Sequence, residues 1–315
     1  PGEGTSRLFR HRKSTSSGPT LRRLAAVSAR DNPRDSEQFT HVDESLRSRL
    51  RSHPRSIGFS FSASGLMMPY HYGVGAALRD ADYIRSGTKL AGSSGGAIAA
   101  AAIACELDNR EVIRGINAVS KDCRDNGSFR RMLVPARRLC QEILPKDAHE
   151  KMSGNVNVAV AQILPRPKRL FVNSWTSKDD VIDSLMASSN IPFVLAPTVL
   201  VPFRDGLCID GSFATQVGSF GCCETAGERT VRVMAFDPRP WKSLAKTILN
   251  DPMNAIAPGL REGDGFEYDT SKSLRFAAGY PPPDENEVEN LYRLGYRAAE
   301  MWIEEDEARR RRSAV

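Results

Sequence analysis

"KLAGSSGGAIAAAAIA", residues 89–104, places two serines among glycines and then continues as a run of alanines. The residues that lead into it, "TKLAGS", predict a short buried strand, and "GGAIAAAAIACEL" predicts a helix of small residues. An apolar strand and an alanine-rich helix do not flank a flexible linker. A phosphate-binding loop would place a lysine after the glycines or show a G-x-G-x-x-G spacing, and the stretch has neither. We therefore interpret it as a sharp turn between a strand and a helix.

The turn itself, "GSSGG" at residues 92–96, matches the pattern G-x-S-x-G. Ser94 is at its centre, and Gly92 and Gly96 are at its ends. In a nucleophile elbow the serine occupies a strained strand-to-helix turn, and the flanking glycines avoid collisions with neighbouring elements. The hydroxyl then lies near the helix N-terminus, where the helix dipole favours negative charge. The pattern predicts that Ser94 is a nucleophile and that Ser93 is a spacer.

Strands and helices alternate along the chain from Ser56 onward. Segments such as "SIGFSFS", "NVNVAVAQIL" and "TVRVMAF" are typical of strands, and segments with helical spacing separate most of them. This alternation predicts an α/β fold with three layers, in which a mostly parallel central sheet carries helices on both faces. We expect residues 1–55 to be a disordered basic segment and linker, residues 56–240 to be the catalytic core, and residues 241–315 to be a C-terminal extension whose long terminal helix packs on the core.

The positive charge of the chain lies in its first 55 residues. The formal net charge is +6, and residues 1–55 hold 12 Lys and Arg against 6 Asp and Glu, whereas the other residues hold 32 of each. A body with balanced charge argues against nucleic acid as a partner. The first 30 residues are rich in Arg and Ser, which is typical of an organelle transit peptide and equally of a disordered basic tail. The compartment stays open, with plastid and mitochondrion as candidates for a transit peptide.

Composition also limits the kinds of site. The six cysteines show no C-x-x-C spacing, so the sequence predicts neither a zinc site nor a disulfide framework. The uncharged run at residues 90–105 is too short and too rich in small residues to span a bilayer. We expect a globular chain that is soluble or peripherally bound to a membrane, with the oligomeric state unassigned.

The base that would activate Ser94 is not a histidine in our interpretation. The common strand-to-helix serine hydrolases need a histidine after both the serine and the acid. Only His149 follows Ser94, and it would close the site before most of the sheet has formed. Asp210 in "LCIDGSF" follows a short apolar strand, where burial would raise its proton affinity. The pair Asp210–Gly211 also fits an ordinary turn, so both interpretations stay open at this point.

Three stretches together resemble one family, the patatin-like phospholipases. "GSSGGA" (92–97) resembles the family's nucleophile motif, and "SFSASGLMMPYHYGV" (60–74) resembles its glycine-rich oxyanion loop. "MASSNIPFVLAP" (186–197), leading to "FRDGLCIDGSF" (203–213), resembles the region that ends in the family's Asp-Gly motif. The similarity spans about residues 56–240 in the family's order. It implies a patatin-like fold and hydrolysis of acyl esters in lipids, without a metal or a cofactor.

The resemblance also implies a role for individual residues. Ser94 corresponds to the nucleophile and Asp210 to the base, which form a catalytic dyad without histidine. The other implied positions are the oxyanion-hole amides and the glycine of the Asp-Gly motif: Gly65, Leu66, Gly95 and Gly211.

One departure from the family concerns the oxyanion loop. The family's loop opens with consecutive glycines, whereas Ala63 and Ser64 precede Gly65 here, and the usual basic residue is missing. A side chain there could mis-aim an amide, and losing one oxyanion donor costs about 100- to 1000-fold in rate. A catalytically inactive lipid-binding or scaffold protein on the same fold is therefore one alternative. A lipid acyltransferase is another, because transfer and hydrolysis share an acyl-serine.

The segment "IPFVLAPTVLVPF" (191–203) is apolar and interrupted by prolines, so it cannot form one regular helix or strand. An alkyl chain needs an apolar slot beside the nucleophile. We expect this segment to line the acyl channel with four side chains: Ile191, Phe193, Val194 and Leu195. The expected partners are a lipid substrate and a membrane or lipid-droplet surface contacted peripherally.

Overall fold

The structure is a computed structural model that describes residues 57–313. The predicted basic segment and transit peptide at residues 1–55 lie outside the described residues. Eight strands of the described part form one sheet: β1 (Ile57–Phe61), β2 (Leu90–Gly92), β3 (Val156–Leu164), β4 (Lys168–Val172), β5 (Val201–Phe203), β6 (Gly206–Ile209), β7 (Arg229–Val233) and β8 (Ala255–Ile256). Their order is β5-β6-β3-β2-β1-β7-β8, and β4 also pairs with β3.

The helices of the described part pack on both faces of this sheet, which confirms the predicted α/β fold. They are α1 (Met68–Asp80), α2 (Gly95–Ala104), α3 (Asn109–Asn126), α4 (Leu133–Ile143), α5 (Ala148–Met152), α6 (Lys178–Ser188), α7 (Lys246–Leu249), α8 (Thr270–Ala278) and α9 (Glu285–Ser313). Short 3₁₀ turns, among them Gly65–Met67 and Gly211–Ala214, connect several of these elements.

The sheet is parallel in its centre and antiparallel at one side. β3, β2, β1, β7 and β8 pair in parallel, as expected for strands joined by helices. β4 and β6 are antiparallel to β3, and β5 is antiparallel to β6. Two of these three antiparallel pairs follow from short connections, because β3 and β4, like β5 and β6, are joined by only a few residues.

β3 pairs with both β2, which precedes Ser94, and β6, which precedes Asp210. At Val158, β3 pairs with β2 on one edge and with β4 on the other, and at Ala161 it pairs with β6 and β4. Because β4 occupies the same edge at both positions, β2 and β6 lie in succession along the opposite edge. β2 runs parallel to β3 and β6 runs antiparallel, so their carboxyl ends point toward each other. Three residues of β3, about 10 Å, separate the two pairing positions.

Small residues allow α2 to pack directly behind the turn that precedes it. The helix is buried on all sides from Gly95 to Ile103. A β-carbon built at Gly96 would lie 2.3 Å from the carbonyl oxygen of Ser62 and 2.4 Å from that of Phe61. The helix N-terminus therefore lies against the end of β1 at a distance that only glycine permits.

The C-terminal helix α9 packs against α1 through a close backbone approach. A β-carbon at Gly73 of α1 would lie 1.9 Å from the Tyr292 carbonyl oxygen, and one at Gly295 of α9 would lie 2.0 Å from the Tyr70 carbonyl oxygen. Further along α9, Trp302 is fully buried and contacts the ring of Phe59 on β1 edge-to-face. These contacts attach α9 to the first strand and helix of the fold.

Candidate active site

Ser94 lies between β2 and α2 in a strained backbone conformation. Its φ is 54° and its ψ is −131°, a region that non-glycine residues rarely adopt and that costs about 1–3 kcal/mol. The residue is 2% exposed, and its backbone N–H donates to Oγ of Ser188 over 2.9 Å. This is the conformation that a nucleophile elbow requires, with the serine at the start of a helix.

Asp210 is buried at the end of β6. Its Oδ1 accepts hydrogen bonds from the backbone N–H of Ser212 at 2.8 Å and from Ser212 Oγ at 2.6 Å. Within the described residues, Oδ2 has no partner with normal hydrogen-bond geometry. Burial raises the pKa of the Asp210 carboxyl, while interactions with Ser212 and with the Ser94 side chain act in the opposite direction. The carboxyl thus has one oxygen held by Ser212 and one without a hydrogen-bond partner among the described residues, and it lies near enough to Ser94 for that side chain to lower its pKa.

Ser188, at the end of α6, contacts both halves of the site. Besides accepting from the Ser94 backbone, its Oγ lies 2.8 Å from where a β-carbon of Gly211 would be. That same position is 2.0 Å from the carbonyl oxygen of Ala159 on β3, so the Asp-Gly motif needs glycine here. Sequence reasoning did not single out Ser188, although it lies in the small-residue helix end "MASSN" that precedes the Asp-Gly motif.

The predicted oxyanion-hole residues lie beside Ser94. Gly65, Leu66, Ser94 and Gly95 line one pocket. A β-carbon at Gly95 would be 3.0 Å from the backbone nitrogen of Gly65, so these two predicted donors are close neighbours. Gly65 has a φ of +49°, and a β-carbon on it would lie 2.0 Å from the carbonyl oxygen of Ala277.

Ala63 and Ser64, the two non-glycine residues at the start of the predicted oxyanion loop, are not at the loop position that lacks room for a side chain. The Ala63 N–H donates to the Phe220 carbonyl oxygen at 3.1 Å, and the Ser64 carbonyl oxygen accepts from the N–H of Met67 at 2.9 Å. Neither residue lines the pocket. The loop position with a positive φ and no room for a side chain is Gly65, and a glycine occupies it.

Replacing Gly65 with alanine is expected to reduce ester turnover by about 100-fold or more, because the new β-carbon collides with the Ala277 backbone and displaces the Gly65 amide. The melting temperature should fall by about 5 °C or more. Gly87→Ala is the matched control, because Gly87 has a φ of +83° and open space around its β-carbon position. If both variants lose turnover equally, the collision is not the cause.

An apolar pocket extends from Ser94 between helices α2, α3 and α4. Its wall is formed by aliphatic and methionine side chains, among them Ile98, Ile116, Val119, Met132 and Leu139. The sequence of α3, "NREVIRGINAVSKDCRD", predicts an amphipathic helix, but nothing in that pattern indicates that its apolar face borders a cavity. This apolar wall adjoins the Ser94 side chain.

The predicted acyl-channel residues do not lie together in this pocket. Leu195 is buried and lines it, held by its carbonyl oxygen, which accepts from the Leu133 N–H at 3.2 Å. Phe193 and Val194 are 51% and 36% exposed, and neither they nor Ile191 line the pocket. The structure therefore places one of the four residues in the pocket that Ser94 lines and directs Phe193 and Val194 to the surface.

Neither histidine of residues 57–313 hydrogen-bonds to Ser94. His71 is buried with Nε2 2.9 Å from the Ser62 carbonyl oxygen, and burial lowers its pKa to about 4. His149 is in α5. Two charged residues next to it, Asp147 and Lys151, lie close enough to Cys105, at the carboxyl end of α2, to shift the pKa of that thiol, so His149 lies near that end of α2. α2 has ten residues, so about 15 Å separates that end from Ser94. Asp210 remains the base candidate that the geometry supports.

Two kinds of feature are absent from the described part of the chain. No group of three or more His, Cys, Asp or Glu side chains within residues 57–313 could hold a metal ion. No helix in that range combines the length and apolar character that crossing a membrane requires.

Comparison with known proteins assigns the chain to a family. The family model described as patatin-like phospholipase matches residues 59–218. The human omega-hydroxyceramide transacylase is 30% identical over 169 residues, which cover 51% of this chain but only 31% of that protein, so the chain spans about a third of this relative. The human patatin-like phospholipase domain-containing protein 4 is 27% identical over 255 residues, covering 77% of this chain and 94% of that protein. VipD from Legionella pneumophila has a TM-score of 0.40 and 13% identity, covering 80% of this chain and 67% of that one. The chain belongs to the patatin-like phospholipase family.

Proposed function

We propose that this protein hydrolyses fatty-acyl esters of lipids through an acyl-enzyme on Ser94. The observation that carries the proposal is the strained, buried Ser94, which lines an apolar pocket and interacts with the buried carboxyl of Asp210. A nucleophile, a base and an apolar slot are the three parts that cleavage of a lipid ester needs.

The proposed reaction has two steps. Ser94 Oγ forms a bond to the ester carbonyl carbon while its proton moves to Asp210 Oδ2, and the amides of Gly65, Leu66 and Gly95 stabilise the developing oxyanion. The bond to the leaving alcohol then breaks, and the proton on Asp210 passes to that alcohol. Water attacks the acyl-serine with Asp210 again as base, which releases the fatty acid and restores the Ser94 hydroxyl.

The burial of Asp210 supports its role as base. An ordinary carboxylate is a poor base for a hydroxyl, because its pKa is far below that of serine. Burial raises the pKa of Asp210 and narrows this difference. The oxyanion donors lower the remaining barrier, since they stabilise the charge as it forms on the substrate oxygen.

A test of the proposal uses the full chain and a fluorophosphonate probe, which reacts with activated serines. We expect one labelled site at Ser94 and release of free fatty acid from dispersed glycerolipids. A folded protein that is neither labelled nor active would instead support the alternative of an inactive lipid-binding protein.

Acyl transfer is the second candidate function. It is favoured by the similarity to a protein named as a transacylase, and an acyl-serine can pass its acyl group to an alcohol instead of water. Products are therefore compared with and without an added lipid alcohol. Transfer predicts a new ester at the expense of free fatty acid, whereas hydrolysis predicts unchanged fatty-acid release.

The pocket between α2, α3 and α4 predicts a change in acyl-chain preference. Ala136 lines this pocket, and Ala136→Phe should fill it with a ring. We expect turnover of long-chain p-nitrophenyl esters to fall by about tenfold or more, with acetate or butyrate esters much less affected, because short chains do not reach the ring. Val134→Phe is the matched control, because Val134 is on the same helix, 55% exposed and outside the pocket. Equal loss on long and short esters would argue against the acyl role of this pocket.

A further inference from the structure

Large apolar side chains are exposed mainly around the candidate active site. Within the described residues, fourteen large hydrophobic side chains are exposed, and eleven of them lie in five segments. These segments, which we call the rim, are residues 127–134, 190–203, 211–221, 238–249 and 270–280. The most exposed is Val217 at 89%, and Phe213, Phe129 and Phe193 each exceed 50%. Exposed apolar side chains concentrated in this way mark an interaction surface.

Hydrogen bonds and a close backbone approach join the rim segments to one another. The Arg130 N–H donates to the Val194 carbonyl oxygen at 2.8 Å, which joins the first two segments. Ser128 Oγ donates to the Gly279 carbonyl oxygen at 2.7 Å, which joins the first to the last. A β-carbon at Gly218 would lie 2.0 Å from the Leu244 carbonyl oxygen, so the third and fourth segments are also in contact.

The oxyanion loop connects these two groups of segments. Ala63 is bonded to Phe220 in the third segment, and Gly65 packs against Ala277 in the last. Phe213 donates its N–H to the carbonyl oxygen of Asp210. The rim therefore contacts the residues that we assign to catalysis.

The charge of the rim has one sign. Its five segments contain seven Lys and Arg residues and no Asp or Glu. Arg131, Arg239 and Lys272 form ion pairs with acids on neighbouring segments. The other four basic residues form no ion pair with any residue of the described part: Arg130, Lys242, Lys246 and Arg275. An apolar surface edged by unpaired basic side chains matches a lipid surface with anionic head groups.

We propose that the rim is the surface by which this protein binds an anionic lipid bilayer, so that its active site opens toward the membrane. The proposal rests on the proposed lipid hydrolysis for its purpose, but the rim binds whether or not Ser94 reacts. Val217, Trp241 and Leu244 enter the head-group region, and Lys242 and Lys246 contact anionic head groups. The bilayer is the occupant because the rim combines apolar side chains with unpaired positive charge, whereas a neutral lipid droplet would not use that charge.

The first test measures co-sedimentation of the full chain with vesicles of phosphatidylcholine, alone or with about 30% phosphatidylserine. We expect stronger binding to the anionic vesicles, weakened about tenfold by the triple change Val217→Ser, Trp241→Ser and Leu244→Ser. The matched control changes three exposed apolar residues outside the rim to serine: Leu164, Phe171 and Leu207. Equal effects of the two triple changes would overturn the proposal.

The second test addresses charge within the same full chain, so that the basic residues 1–55 contribute equally to every variant. Lys242→Glu with Lys246→Glu should weaken binding to anionic vesicles about tenfold or more and leave binding to neutral vesicles unchanged. Arg110→Glu with Arg114→Glu has the same spacing on α3 outside the rim and should change binding little. Preference for neutral over anionic vesicles in the wild type would contradict the proposal.

The third test uses tryptophan fluorescence to locate the bound surface. Trp241 is 36% exposed, whereas Trp175 and Trp302 are buried. Brominated lipids should quench emission of the bound protein, and Trp241→Phe should remove most of this quenching. Lipid-free light scattering of the wild type and the rim variant checks the alternative occupant, a second copy of the chain. If the rim variant lost self-association and lipid did not quench the wild type, the rim would be an interface between two copies of the chain, and membrane binding would be contradicted.

Turnover of a soluble short-chain ester separates this proposal from the proposed function. Turnover without vesicle binding would refute membrane binding by the rim and would still support the proposed hydrolysis. Vesicle binding without turnover would refute the proposed hydrolysis and would still support membrane binding by the rim.

Discussion

Ser94→Ala is expected to remove fluorophosphonate labelling and to lower ester turnover by roughly 10⁶-fold, the loss typical of removing a nucleophilic serine. The variant lacks the oxygen on which the proposed acyl-enzyme forms, while its backbone keeps the hydrogen bond to Ser188 Oγ. Alanine in the strained turn has the same steric limits as serine, so the melting temperature should change little. Labelling by mass spectrometry and fatty-acid release by titration give two independent readouts.

Ser93→Ala is the control for this experiment. Ser93 is adjacent in sequence, fully buried, and its hydroxyl has no hydrogen-bond partner among the described residues. Its Oγ instead lies 2.2 Å from the β-carbon position of Gly221, outside the pocket. Labelling should survive this change. If Ser93→Ala removed labelling and Ser94→Ala did not, the assignment of the nucleophile would move by one residue.

The local geometry at the elbow could be predicted from the sequence because it depends on neighbouring residues. The glycines of "GSSGG" are needed where backbone approaches backbone, as Gly96 does at the end of β1. The alanine run predicts a helix that can be buried on all sides, and α2 is such a helix. Short-range patterns of this kind are complete within about fifteen residues.

The meeting of Ser94 and Asp210 could not be predicted from strand patterns, because it depends on pairing register. β2 has three residues and β6 has four, and their succession along one edge of β3 is set by contacts between distant segments. The family resemblance, not periodicity, linked the two residues. The Gly65–Ala277 contact was likewise invisible, since it joins residues more than two hundred positions apart.

The acyl channel shows why an apolar segment is an uncertain guide to a cavity. Residues 191–203 are apolar but lack periodicity, so their sequence does not specify which side chains face inward. In the structure, Leu195 lines the pocket, while Phe193 has a φ of 61° and is directed outward. The exposed side chains of this segment have a role only in the proposed membrane contact, because exposed apolar side chains of the rim would contact the bilayer.

Asp210→Asn is expected to lower ester turnover by about 1000-fold or more, because the amide cannot accept the proton of Ser94. The amide oxygen can still accept both hydrogen bonds from Ser212, so the fold should be kept. Asn followed by Gly can deamidate to Asp, so mass spectrometry must exclude reversion, and Asp210→Ala serves as a second variant. Retained turnover in an unreverted variant would contradict Asp210 as the base.

The pH dependence of the same variant tests the buried carboxyl independently of turnover. The pKa of Asp210 is raised above the ordinary aspartate value of 3.8, so the folded protein binds this proton more tightly than the unfolded chain does. The protonated carboxyl therefore stabilises the fold at low pH, and that contribution is lost as the pH rises through the raised pKa. We expect the melting temperature of Asp210→Asn, relative to wild type, to increase from about pH 4 upward. In the wild type, kcat/KM for a soluble ester should fall with acid along a limb whose midpoint lies above 3.8, because only the ionised carboxylate can act as base. A midpoint at or below that value, together with a melting-temperature difference that does not vary with pH, would contradict a buried Asp210 base.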